Sequence, residues 1–306
     1  MARRFRIGTR GSPLALVQTE AVKRLLLTHD PKLADRLEVV IVKTSGDRIQ
    51  DRPLAEVGGK GLFAKEIEDG LRARTLDLAV HSVKDLETAL PEGLMLAAMP
   101  ARADPRDVLI APGARSIATL KHGAVVGTSS LRRQAQLLAQ RPDLKVVMFR
   151  GNVETRLRKI AAGEADATLL ALAGLDRLGR VEREASTLSV EDMLPAAGQG
   201  AIGIECRTGD TEVRALVAPL DDAATSAAVA AERAMLAALD GSCRTPIAGY
   251  ATVAGARLTL RGLVARADGT GLVRGERSGF AADAEAIGRD LGAELRRNAD
   301  PAVFAR

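Results

Sequence analysis

A lone cysteine stands in the loop-like stretch 239-LDGSCRTPIAGY-250, next to Arg244. A thiolate is a strong nucleophile, and nearby positive charge lowers a thiol's pKa. Residue type leaves Cys243 open between a reactive and a structural role. His29, His81 and His122 are all distant in sequence, so a Cys-His dyad has little support. A second chemistry lies in the arginines. In 125-VVGTSSLRRQ-134, the loop Thr128-Ser129-Ser130 opens a helix and offers hydroxyls and backbone N–H groups to an anion. Arg132 and Arg133 fall in that helix's first turn, where the dipole prefers acidic residues. An anionic ligand would explain them; two solvated arginines on a surface helix is the plainer reading. The arrangement recurs. Arg10 and Ser12 open the first helix, Arg150 and Asn152 flank Gly151 with Arg156 one turn later, and Arg177 follows a strand end. Finally, 77-DLAVHSVKDL-86 places Lys84 and Asp85 after an apolar strand. An ionised carboxylate facing a cationic cleft can stabilise a developing cation or exchange a proton. An ordinary Lys-Asp turn is the plainer alternative.

The elements that would carry these residues alternate through the first two-thirds of the chain. Strands are expected at 4–7, 37–42, 76–80, 124–126, 146–149 and 167–172. Helices are expected from Pro13 behind an N-cap at Ser12, and at 61–72, 131–140 and 153–162. Strand–loop–helix units of this kind argue for an α/β fold, with ligands at the carboxyl ends of strands. Two segments echo each other: each opens strand, Thr-containing loop, Ser, helix, and each later has an Asp (Asp77, Asp166) before an apolar strand. The segment 194-LPAAGQGAIGIECR-207 reads as a return crossing and a strand that buries Cys206. From about Asp221 an Ala-rich helix, short alternating strands and a last helix suggest a separate α+β unit.

Composition bounds the function. The 306 residues are 46% hydrophobic and 27% charged, ordinary for a globular enzyme of two or three domains. The net charge is +5, and only nine of the 44 basic residues are lysine. A GC-rich genome accounts for much of that bias, but guanidiniums also bind planar anions in a two-pronged way. With one Tyr, no Trp and five Phe, base stacking has few platforms, so nucleic acid is not expected. Scattered His and Cys offer no zinc spacing, and GGKG at 58–61 lacks the P-loop pattern. The basic start MARRFRIGTRGSPLALV has no apolar core of signal-peptide length, and no stretch is apolar enough to span a membrane. A cytoplasmic chain with reduced thiols is expected.

Together the motifs TRGSPLAL (9–16), PLAEVGGKGLF (53–63), AVHSVKD (79–85), DPRD (104–107), VGTSSLRRQ (126–134), FRGNVETRL (149–157), LALAGLDRLG (170–179), LPAAGQGAIGIECR (194–207), AERAM (231–235) and GSCRTPI (241–247) resemble the porphobilinogen deaminase (hydroxymethylbilane synthase) family. They run nearly end to end, in family order and spacing. The resemblance implies a transferase that joins four porphobilinogen molecules head to tail, with loss of ammonia, into a linear hydroxymethylbilane for tetrapyrrole (haem-type) biosynthesis. It implies a dipyrromethane cofactor, a two-pyrrole primer held by a thioether to Cys243. Lys84, Thr128, Ser130, Arg132 and Arg133 match cofactor-holding positions. Arg10, Ser12, Lys60, Arg150, Asn152, Arg156 and Arg177 match positions around substrate and growing chain. Asp85 matches the catalytic aspartate, which bonds pyrrole N–H groups and stabilises the cation left by ammonia. The implied fold is two periplasmic-binding-protein-like α/β lobes plus a small C-terminal α+β domain with an antiparallel sheet: 1–99 with 200–219, then 100–199, then 220–306. A monomer without metal is expected. Departures are Leu86-Glu87 after the aspartate, Glu56 where some members carry lysine, and Ser242 in place of glycine. The rival expectation is a non-catalytic, two-lobed polycarboxylate-binding protein.

Overall fold

The structure is a computed structural model describing residues 3–48, 63–180, 185–241 and 245–304. Lys60 and Cys243, and with them Glu56 and Ser242, lie outside the described residues. The chain divides into two compact units, residues 1–103 with 201–226, and residues 104–200 with 227–306.

The first unit is built on a five-stranded sheet in the order Leu37–Val42, Phe5–Arg10, Leu78–Ser82, Ile202–Arg207, Leu94–Ala98. The first three strands run parallel; Ile202–Arg207 pairs antiparallel with both of its neighbours. Phe5, Ile7, Leu78, Val80, Ile204 and Cys206 share one buried cluster with Val22 and Leu26 of the helix Pro13–His29. That helix starts as expected: Pro13 is its first residue, and the Ser12 hydroxyl accepts from the Ala15 N–H at 3.3 Å. Cys206 is fully buried and free, a small hydrophobe in the sheet.

The second unit holds another five-stranded sheet, ordered Lys145–Val147, Val125–Gly127, Ala167–Ala171, Asp107–Ile110, Ala185–Thr187. The senses repeat those of the first sheet, three parallel strands and then two antiparallel pairings. The expected echo has a physical basis. Asp77 accepts from the Arg6 N–H at 2.8 Å, and Asp166 from the Val125 N–H at 2.7 Å. In each sheet the aspartate's own N–H donates back to the same strand. One carboxylate thus closes the start of the central parallel pair in both sheets. Gly127 is fixed by packing: a Cβ there would sit 2.4 Å from the Phe149 ring.

The remaining sheet is antiparallel, Ile247–Ala254, Arg257–Val264 and Val273–Phe280, and the helices Ala223–Ala238 and Ala284–Asn298 contribute to its core. It has its own core within the second compact unit. Ala248, Leu263 and Ala265 cluster with Ala135 and Leu194, and the Gly249 N–H donates to the Pro195 carbonyl at 3.0 Å. Buried Glu232 accepts from Gly198 and Ala251. No helix among the described residues is long and apolar enough to cross a membrane.

Candidate functional site

In the first unit, the strand ends Arg10 and Ser82 and the turn Val83–Asp85 gather around one pocket. Arg10, Ser12, Gln18, Phe63, His81, Ser82 and Asp85 line it. The Arg10 guanidinium lies 4.2 Å from the centre of the Phe63 ring, and its Nη1 is 4.0 Å from Asp85 Oδ2. The ring's π face attracts the cation. The carboxylate is thereby held in a positive field without a tight ion pair. Ser82 and Gln18 exchange hydrogen bonds of 2.9 and 3.0 Å, tying the strand end to the first helix. Lys84 is half-buried in the same turn.

One lining residue, His81, belongs to a group of ionisable residues that the sequence does not reveal. His81 Nε2 is 2.9 Å from Glu205 Oε2, without the alignment of a hydrogen bond, and both residues are buried. Glu68, only 5% exposed, joins them from the helix Lys65–Arg72. Burial, reinforced by repulsion from Glu205, pushes the Glu68 carboxyl up to about 7, against the attraction of His81 and Arg72. A carboxyl whose pKa is raised by folding costs stability once pH exceeds its unfolded value, and the cost is complete above the folded value. Glu68→Gln should therefore raise stability at pH 8 by roughly 1–3 kcal/mol, with the gain vanishing below about pH 4. Urea melts across that range check this; a gain equal at all pH values would contradict it.

In the second unit the predicted residues again gather at strand ends. Ser130 caps the helix Leu131–Gln140, accepting from the Arg133 N–H at 3.4 Å, and its own N–H bonds the Thr128 hydroxyl at 3.2 Å. Ser129 Oγ donates to the Phe149 carbonyl at 2.6 Å, joining this loop to the next. Gly151 has φ +115°, a region in which side chains are strained. Asn152 caps the helix Val153–Ala161 through the Thr155 N–H at 2.9 Å, and Arg156 Nε donates to the Gly151 carbonyl at 3.1 Å. Arg150 and Arg156 are half-buried at the mouth of this loop. Half-buried Arg177 donates to the Gly200 carbonyl at 2.7 Å, and burial lowers its pKa.

The side-chain oxygens of Ser12, Ser130 and Asn152 satisfy N–H groups of their own helices, and a capping hydroxyl keeps its hydrogen to donate. Arg132 and Arg133, buried rather than solvated, share one protein partner, Asp107. Its Oδ2 takes Arg132 Nη2 at 2.7 Å and its Oδ1 takes Arg133 Nη2 at 2.8 Å. Gln199 donates to Oδ1 at 2.9 Å. Asp107 is 0% exposed and each arginine 5%. Burial alone would push the Asp107 carboxyl up. The two guanidiniums, with the Arg133 and Gln199 hydrogen bonds, override it and hold the group well below the usual carboxylate range. The sequence signal was present: two arginines in a helix's first turn, and an acid opening the apolar strand 107-DVLI-110.

These three groups hold two positive charges against one negative, and Arg133 Nε is buried without a hydrogen-bond partner. Excess buried charge is costly unless something neutralises it. The set therefore fits a carboxylate-bearing group. Among the described residues, no group of three acids, histidines or cysteines is placed to hold a metal.

Comparison with known proteins gives this geometry a family. Residues 5–215 match the model of the porphobilinogen deaminase dipyrromethane cofactor binding domain, and residues 226–297 match that of the porphobilinogen deaminase C-terminal domain. The chain is 54% identical to the porphobilinogen deaminase of Nitrobacter winogradskyi over 97% of its own length and 94% of the relative's. It is 52% identical to that of Paracoccus denitrificans, over 98% and 96%. Among solved structures, a periplasmic binding protein of Salmonella typhimurium aligns at 13% identity over 74% of this chain and 94% of its own, with TM-score 0.39. Two domain models in order and half-identical relatives covering almost the whole length leave one conclusion: the chain belongs to the porphobilinogen deaminase family.

Proposed function

We propose that the protein condenses four porphobilinogen molecules head to tail, releasing ammonia, to give linear hydroxymethylbilane. The observation that carries this is the buried Asp107–Arg132–Arg133 set, which has one positive charge in excess inside a domain matched as cofactor-binding. Porphobilinogen carries an acetate and a propionate, so both primer and growing chain are polycarboxylates. When bound, the dipyrromethane supplies a nucleophilic pyrrole end to which each new unit is joined.

The chain's own residues divide the remaining work. Arg132, Arg133, Lys84, Thr128 and Ser130 would hold the primer, with Cys243 as its covalent anchor. Arg10, Ser12, Lys60, Arg150, Asn152, Arg156 and Arg177 would hold the carboxylates of the incoming unit and the lengthening chain. A guanidinium presents two parallel donors to a carboxylate, which fixes orientation as well as charge. Asp85 would accept hydrogen bonds from pyrrole N–H groups and stabilise the cation formed as ammonia departs. It would then take the proton lost from the nucleophilic pyrrole carbon that forms the new bond. A carboxylate already fixed in position needs little reorganisation as that charge develops. The same reading takes the chain to act as a monomer in the cytoplasm, without nucleic acid.

Incubation of the purified protein with porphobilinogen should release four ammonia molecules per hydroxymethylbilane. Reversible binding without ammonia release would instead support the polycarboxylate-binding reading.

A further inference from the structure

We propose that Asp107 is a positioning residue of this reaction: it aims Arg132 and Arg133 at the primer's carboxylates and acts only through them. The inference rests on the assignment of those arginines to the primer. Three features carry it. First, one rigid carboxylate holds both guanidiniums, one on each oxygen, at 2.7 and 2.8 Å. Second, each arginine has another fixed point: Arg132 Nη1 donates to the Leu194 carbonyl at 2.7 Å and Arg133 Nη1 to the Leu169 carbonyl at 2.9 Å. The rotamer freedom of both side chains is thus removed before a ligand arrives, which is how preorganisation strengthens binding. Third, Asp107 is fully buried and anionic, so it can neither reach a carboxylate ligand nor attract one directly. Its presence lowers the local charge from two positive to one, which a single carboxylate of the primer can match.

Asp107 also links parts of the second unit that are distant in sequence. Gln199, which donates to it, bonds the Pro105 carbonyl at 2.6 Å as well, and Gln136 joins Arg132 on the Leu194 carbonyl. The arginine pair is therefore referenced to the strand Asp107–Ile110 and to the 194–199 segment at once.

The test compares Asp107→Asn, which keeps shape and loses charge, with Asp107→Glu, which keeps charge and lengthens the reach. Asp77→Asn is the control. It removes a buried carboxylate from Arg3 and Arg6 in the first unit, at 3.0 and 3.1 Å, and touches no residue assigned to primer or substrate. Full-length proteins are purified at low temperature, their folded fraction is measured by circular dichroism, and the share carrying a covalent two-pyrrole mass is read from intact mass. Folded Asp107→Asn and Asp107→Glu should show loading reduced about tenfold or more, the scale seen when groups that orient binding residues are lost. Asp77→Asn should load like wild type although it melts earlier. Full loading of either folded Asp107 variant would overturn the inference, as would an equal loading loss in Asp77→Asn. If Asp107→Asn does not fold, Asp107→Glu decides. A wild-type protein without the mass excess would instead sink the assignment of the arginines, a result distinct from any Asp107 effect.

Discussion

Asp85→Ala is expected to leave the covalent primer in place while lowering hydroxymethylbilane formation by about 10²–10³ or more, the scale of losing one preorganised electrostatic stabiliser. The structure supports this separation of effects. Asp85 ends the short turn Val83–Asp85, held by the Leu86 N–H to Val83 carbonyl bond of 3.1 Å, so the backbone does not depend on its side chain. That side chain is 41% exposed, and the Arg10 guanidinium is 4.0 Å away. Its removal leaves no buried partner stranded, so folding should survive. Asp85→Asn keeps an acceptor for a pyrrole N–H but cannot balance a cation or take a proton, so it should be nearly as slow. Single-turnover chase of porphobilinogen, followed by mass, checks both. Wild-type bilane formation by Asp85→Ala would refute the role.

Cys243→Ser should abolish the covalent excess and reduce turnover by about three orders of magnitude or more, since a primer that cannot be anchored leaves with the product. The chain's other cysteine offers no substitute. Cys206 is fully buried in the strand Ile202–Arg207, and burial, with Asp210 nearby, pushes its thiol up to about 11. At neutral pH it is overwhelmingly protonated, and alkylation there would have to open the sheet. Cys206→Ser should therefore keep the covalent mass and the activity, losing roughly 1–3 kcal/mol of stability to a poorly satisfied buried hydroxyl. Full turnover by Cys243→Ser, or loss of the primer in Cys206→Ser, would contradict this division.

Local signals carried far in this chain. Ser12 and Pro13 marked a helix start, 131-LRRQAQLLAQ-140 spans the observed helix, and residues 37–42 form the strand the pattern indicates. The paired aspartates before apolar strands marked the repeat of one sheet topology. Boundaries slipped where an apolar residue served packing. The apolar pattern begins at Leu76, but the strand is Leu78–Ser82, and Leu76 packs with Ile67, Leu71 and Ala79. The largest omission was Asp107. Its partners are 25 and 26 residues away, and only the folded sheet brings them together. The Glu68, His81 and Glu205 group was hidden for the same reason, since three separate elements supply it. Residue types marked the strand-end loops at which these side chains gather, and the internal carboxylate that pairs the two arginines needed the tertiary structure.

The intact mass of wild-type protein, purified without added porphobilinogen, tests the central claim most directly. The account predicts a covalent excess equal to two deaminated porphobilinogen units, located by peptide mapping on the segment containing Cys243. An unmodified mass in folded protein that still forms hydroxymethylbilane, or an excess mapped elsewhere, would contradict it.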